Sequence, residues 1–138
     1  MIIDKENLLS YQQAITVTAD STNIIDLGPP NHTGAAGNDM PIPLFMAIDE
    51  AFTAAGAATL TISIQSSPVS NFASGVKTHN ITDAIGKASL APALAMRHSL
   101  SLPPDVQRYV KAVYTVATGP MTAGKITLGV TASRQTNG

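Results

Sequence analysis

Three histidines, His32, His79 and His98, are the chain's candidates for acid–base chemistry or metal ligation. None has a second histidine or a carboxylate at a metal-ligand spacing, and neither a cupin-type His-x-His nor a His-Glu-x-x-His pattern occurs. Asp49 and Glu50 are the one adjacent acidic pair. On a strand, consecutive residues point to opposite faces, so these two are expected to sit at a solvated strand end rather than to share a site. No Gly-x-Ser-x-Gly elbow is present, and Gly34-Ala35-Ala36-Gly37 lacks the Lys and Ser/Thr of a phosphate loop. Asn31-His32-Thr33 and Asn80-Ile81-Thr82 match the glycosylation triplet, a pattern common by chance. The expectation is a protein that is not an enzyme, with no catalytic residue, metal or cofactor.

Composition points the same way. Of 138 residues, 44% are apolar, enough for one hydrophobic core, while only 12% are charged, about half the usual share. Small neutral residues such as Thr, Ser, Ala and Asn fill the deficit, so a partner covering this surface would desolvate little charge. The net charge is −1, with eight basic residues scattered along the chain, and Trp is absent. That distribution argues against nucleic-acid binding. Cysteine is absent, which removes disulfides and thiolate metal sites and fits a reducing compartment. The opening Met1-Ile2-Ile3-Asp4-Lys5-Glu6-Asn7 shows no basic region followed by an apolar run, so no secretory leader is expected. No stretch is long and apolar enough for a membrane span.

The elements that would position these residues have a period of two. Thr59–Ser66 alternates Leu60, Ile62 and Ile64 with hydroxyls and an amide. Lys125–Ala132 repeats the pattern, and Tyr109–Thr118 places Val110, Ala112, Tyr114 and Val116 on one face. Weaker strands are expected at Ala14–Thr18, Asn23–Leu27, Leu44–Phe52, Gly75–Ile81 and Met96–Leu102, separated by Gly, Pro and Asn turns. Asp83–Ala95 is Ala-rich and reads as a short helix or an irregular loop, which Pro92 would interrupt. The expected architecture is all-β: a jelly-roll-like β-barrel or sandwich of about eight antiparallel strands, in one domain spanning residues 1–138.

Several blocks carry a family resemblance. They are Met1-Ile2-Ile3-Asp4-Lys5, Ser21-Thr22-Asn23 with Ile25-Asp26-Leu27-Gly28, Ala51–Leu60, Leu102-Pro103-Pro104 leading to Arg108-Tyr109 and Tyr114-Thr115-Val116, and Thr118–Lys125. In this order they resemble the tailed-bacteriophage capsid cement, or decoration, proteins of the Bordetella-phage type. Pro29–Pro43 and Ser70–Ala93 match that pattern poorly. The resemblance implies a jelly-roll-like body on the outer surface of an HK97-type phage head, made in the host cytoplasm. It implies partners in the major capsid protein and in further copies of the chain, as dimer or trimer, and no nucleic acid, membrane or cofactor.

Within that expectation, Met1–Tyr11 and Pro29–Pro43 hold apolar residues outside clean strands. Ile2, Ile3, Leu8, Leu9, Met40 and Ile42 are the expected partner contacts, with residues 1–13 as an N-terminal contact arm; plugging the ends of a barrel is the competing role. The other functional expectation is a jelly-roll carbohydrate- or receptor-binding module of a phage fibre or tail. Such modules stack sugars on exposed aromatic rings, and the tyrosines here are Tyr11, Tyr109 and Tyr114.

Overall fold

The computed structural model describes residues 4–28, 42–92 and 100–131. Among the described residues, nine strands form two antiparallel sheets. They are β1 (Leu8–Ala14), β2 (Ala19–Asp20), β3 (Ile25–Asp26), β4 (Leu44–Thr53), β5 (Thr59–Ser67), β6 (Lys77–Asn80), β7 (Ile85–Gly86), β8 (Tyr109–Ala117) and β9 (Ala123–Val130). Single 3-10 turns occupy Lys5–Asn7 and Lys87–Ser89. One sheet has the order β1-β9-β4. In the other, β8 and β5 are central, β2 and β3 flank β8, and β6 and β7 flank β5. The all-β expectation holds. The barrel does not: the two sheets stay open and face one another, which is the sandwich form.

The period-two segments explain the core. Leu60, Ile62 and Ile64 from β5 and Val110, Ala112 and Tyr114 from β8 are buried on the inner face of the larger sheet. Leu9, Leu44, Met46, Ile48, Ile126 and Leu128 oppose them from the smaller sheet. Burying each such aliphatic chain contributes roughly 1.5–3 kcal/mol, which makes this layer the principal source of stability.

The chain crosses between sheets at one end in three places: 15–18, 54–58 and 118–122. These crossings are stitched together. Met121 N–H donates to Thr16 O at 2.8 Å, Thr122 N–H donates to Thr53 O at 2.7 Å, and the Thr53 and Thr122 hydroxyls lie 2.8 Å apart. Gly124 opens β9 beneath the Phe52 ring with φ +144°; a Cβ there would lie 2.4 Å from ring carbons. Glycine is therefore required by backbone and by space.

The expected Ala14–Thr18 strand is instead the first of these crossings, with β1 ending at its start and β2 beginning after it. All of β1 but its last residue lies in the stretch expected to be an arm, and it pairs with β9 from Leu8 to Ala14. The Asp83–Ala95 stretch holds β7 and the Lys87–Ser89 turn over its described part; its last residues, 93–95, and most of the expected Met96–Leu102 strand lie outside the described residues.

Candidate interaction surfaces

Among the described residues no group of three or more His, Cys, Asp or Glu is placed to hold a metal ion. No described helix is long and apolar enough to cross a membrane. His32 and His98 lie outside the described residues. His79, on edge strand β6, lies 3.0 Å from Asp105, and Lys77 is 3.7 Å from the same carboxylate. The His79 approach has the distance of a hydrogen bond but not its direction, so the shielded Nε2 has no hydrogen-bond partner. Asp49 and Glu50 take separate partners: Thr127 Oγ1 donates to Asp49 at 2.6 Å, and Lys125 lies 3.2 Å from Glu50.

Much of the charge on the described residues is paired within the chain. Lys111 bonds Asp20 at 2.7 Å, and Arg108 grips Asp26 through two hydrogen bonds of 2.8 and 2.9 Å. The Arg108 hydrogen bond, helped by the Gly28 N–H, lowers the Asp26 pKa to about 2. Between these pairs the outer face of the larger sheet is nearly free of charge. Thr59, Thr61, Ser63 and Thr115 lie on it, with Thr78 and Asn80 from β6 alongside.

Of the expected contact residues, Ile2, Ile3 and Met40 lie outside the described residues. Leu9 is fully buried in the core, so its side chain serves the fold and presents no surface. Leu8 is buried on the outer face of the smaller sheet, in register with Gly129 and Phe45. A Cβ on Gly129 would lie 2.9 Å from both side chains, so the missing side chain makes room for this small cluster. Ile42 is half-buried against the core, and its carbonyl accepts from Leu102 N–H at 2.9 Å. Leu8, Leu9 and Ile42 are thus drawn apart rather than gathered into one patch.

Two features were not foreseen from the sequence. The first is a groove of about 520 Å³ beside β1, lined by Lys5, Glu6, Leu8, Leu9, Tyr11, Thr22 and Asn23. Asn23 builds its wall: its side-chain amide donates to Leu8 O at 2.7 Å and its backbone N–H to Leu9 O at 3.0 Å. Those bonds also occupy the outer carbonyls of an edge strand that would otherwise invite pairing. Tyr11 is 67% exposed, set outward beside Gln12, which takes a left-handed backbone with φ +44° inside the Ser10–Gln13 irregularity of the β1 register. Neither Lys5 nor Glu6 has a side-chain partner among the described residues. The groove therefore combines an aromatic rim with one charge of each sign that is unpaired among the described residues.

The second feature is the connection between β5 and β6, Pro68–Val76. Val69 and Val76 are 37% and 41% exposed, and Phe72 has φ +53° with Lys111 Nζ 4.6 Å from its ring centre.

A family model described as Bbp16 matches residues 9–130 of the chain. No curated protein matches it significantly.

Proposed function

The chain belongs to the Bbp16 family, a family of Bordetella-phage proteins, and from that premise we propose that it is a structural capsid cement protein. In this reading it binds the outside of an HK97-type head and bridges capsomers, holding the shell against the pressure of packed DNA. The observation that carries the reading is the internal neutralisation of charge. Asp20, Asp26, Glu50 and Asp105 each have a cationic partner within the chain, and the outer face of the larger sheet between its pairs carries the hydroxyls of Thr59, Thr61, Ser63 and Thr115. Such a surface is covered at little desolvation cost.

The mechanics follow from the fold. A specific contact buries on the order of 1,000 Å² and yields only a few kcal/mol after ordering costs. A body touching two subunits gains by effective concentration, and many symmetry-related copies multiply the effect. Two sheets packed on one shared core transmit load without opening. The partners would be the major capsid protein and other copies of the chain, on the virion surface.

Copy number in purified heads is the test. Quantitative mass spectrometry should find the protein at a number comparable with the shell subunit, and heads stripped of it should burst at lower temperature until it is added back. A handful of copies per particle, or none, would overturn the cement role.

One observation favours a second reading, a sugar- or receptor-binding module of a fibre or tail. Tyr11 is an exposed ring beside a groove that carries Asn23 and Thr22, the combination sugar sites use. Saturable binding on a glycan array, abolished by Tyr11→Ala, would support that reading over cement.

A further inference from the structure

We propose that Pro103–Gln107 is a strap that opens as a unit while both sheets stay folded, and that its opening uncovers the Ser66 end of the core. The proposal stands apart from the cement reading.

The path of the chain defines the strap. Leu102 N–H donates to Ile42 O at 2.9 Å, which anchors one end beside the start of β4. Asp105 then meets β6, its carboxylate 3.0 Å from His79 and 3.7 Å from Lys77. Arg108 anchors the other end: its carbonyl accepts from Leu27 N–H at 2.8 Å, and its guanidinium grips Asp26. β4 and β6 are edge strands of the two sheets, so the strap bridges the gap between them. Lys77 and His79 stand in register with Ser66 and Ile64, whose side chains are buried, and Ser66 also pairs with Val110. Chain that touches β6 at Asp105 and enters β8 at Tyr109 must therefore cross the inner side of Ser66.

The strap is held weakly between firm ends. Leu102 and Val110 are buried, and no residue between them is. Val106 packs against the core but is only partly buried. Pro103 and Pro104 have no backbone N–H to contribute. The three side chains of the Asp105 clasp are 35–50% exposed, and exposed ion pairs contribute little.

Closure also leaves polar groups unsatisfied. Ser66 Oγ, His79 Nε2 and Gln107 Oε1 are shielded, with no hydrogen-bond partner among the described residues. Each carries a desolvation penalty while the strap is closed and regains water when it opens. Opening here exposes little apolar surface, whereas unfolding the neighbouring Leu60, Ile62 and Ile64 layer exposes a great deal. Such a segment opens at a lower free energy than the sheets it covers.

The chain has no cysteine, so Ser66→Cys places a single thiol beneath the strap. The test is the rate at which an aromatic disulfide reagent labels that thiol, in buffer and in low urea. The expected rate is flat in low urea, because a local opening exposes little surface. Asp105→Asn in the same background should raise it about threefold, with the melting temperature within a degree or two. Val110→Cys, the buried register partner of Ser66, reports the same opening if Ser66→Cys does not fold. Labelling that follows global unfolding across the urea range, or a rate that Asp105→Asn leaves unchanged, would overturn the strap.

Discussion

The Tyr114 hydroxyl on β8 lies 2.6 Å from Ser10 Oγ on β1, a buried bond that ties the two sheets together through the core. Ser10 Oγ donates onward to Gln13 Oε1 at 2.7 Å, so Tyr114 is the donor of the pair. Gln13 Oε1 also accepts from Thr22 N–H, and its amide donates to Asp20 O, extending the network to β2. Burial raises the Tyr114 pKa well above its ordinary value and outweighs the opposing effect of the Ser10 bond, so the hydroxyl stays neutral at any working pH. Tyr114→Phe is expected to cost about 1 kcal/mol. Ser10→Ala should cost more, about 2 kcal/mol, because it strands the tyrosine hydroxyl in the core. The double variant should cost less than the sum in urea titrations. Strict additivity would mean that the two hydroxyls act independently.

Ser66 makes the opposite case. It is fully buried near the end of β5, and its Oγ has no hydrogen-bond partner among the described residues. Ser66→Ala removes an unsatisfied hydroxyl without emptying much space, so it should be neutral or stabilising by up to about 1 kcal/mol. A loss of more than that in the same titration would show that a bridging water satisfies the hydroxyl.

Gly124→Ala should be among the most damaging single-methyl changes in the chain. The backbone is left-handed there and the new Cβ would fall inside the Phe52 ring. A loss of about 2–4 kcal/mol is expected from strain and overpacking together. Adding Phe52→Leu should recover the packing part and leave the backbone part. Thermal melts of the single and double variants separate the two.

The outcome for the strands shows what period-two reading can and cannot reach. Leu60, Ile62 and Ile64 alternate without interruption, and so do Val110, Ala112 and Tyr114; both strands and their inward faces were legible. β1 was not, because register shifts around Ser10 and the left-handed Gln12 break its alternation, leaving Ala14–Thr18 as the better-looking segment. β2 and β3 are two residues each, too short to show any period. Closure was beyond reach as well, since a barrel and an open sandwich share one pattern and differ only in edge pairing. The groove depends on Asn23 reaching back to Leu8 and Leu9, a contact that local spacing does not encode.

Acid should loosen the Asp26–Arg108 clasp in a defined window. The folded-state pKa of Asp26 is lowered from 3.8 to about 2, so its stabilisation is present above pH 4 and is lost as pH falls towards 2. The pair is exposed and its contribution small, so a difference measurement is needed. Asp26→Asn should be less stable than wild type at neutral pH, and the gap should close between pH 4 and 2. A gap unchanged at pH 2 would mean that the asparagine acts through packing or the Gly28 N–H instead.

Leu9→Ala and Tyr11→Ala separate fold from contact on a single strand. Leu9 is fully buried, so its truncation should cost about 2–5 kcal/mol of stability while the folded fraction still binds undecorated shells at wild-type affinity. Tyr11 is two-thirds exposed on the groove rim, so its truncation should leave the melting temperature within a degree or two. Its shell affinity should fall severalfold, because an exposed aromatic ring is the kind of anchor that interfaces use. Deleting residues 1–7 tests the same groove from its other side: Asp4–Asn7 are exposed, so the fold should survive, and the loss of Lys5 and Glu6 should weaken binding in parallel with Tyr11→Ala. If Tyr11→Ala and the deletion both bind as wild type, the β1 groove has no part in shell attachment.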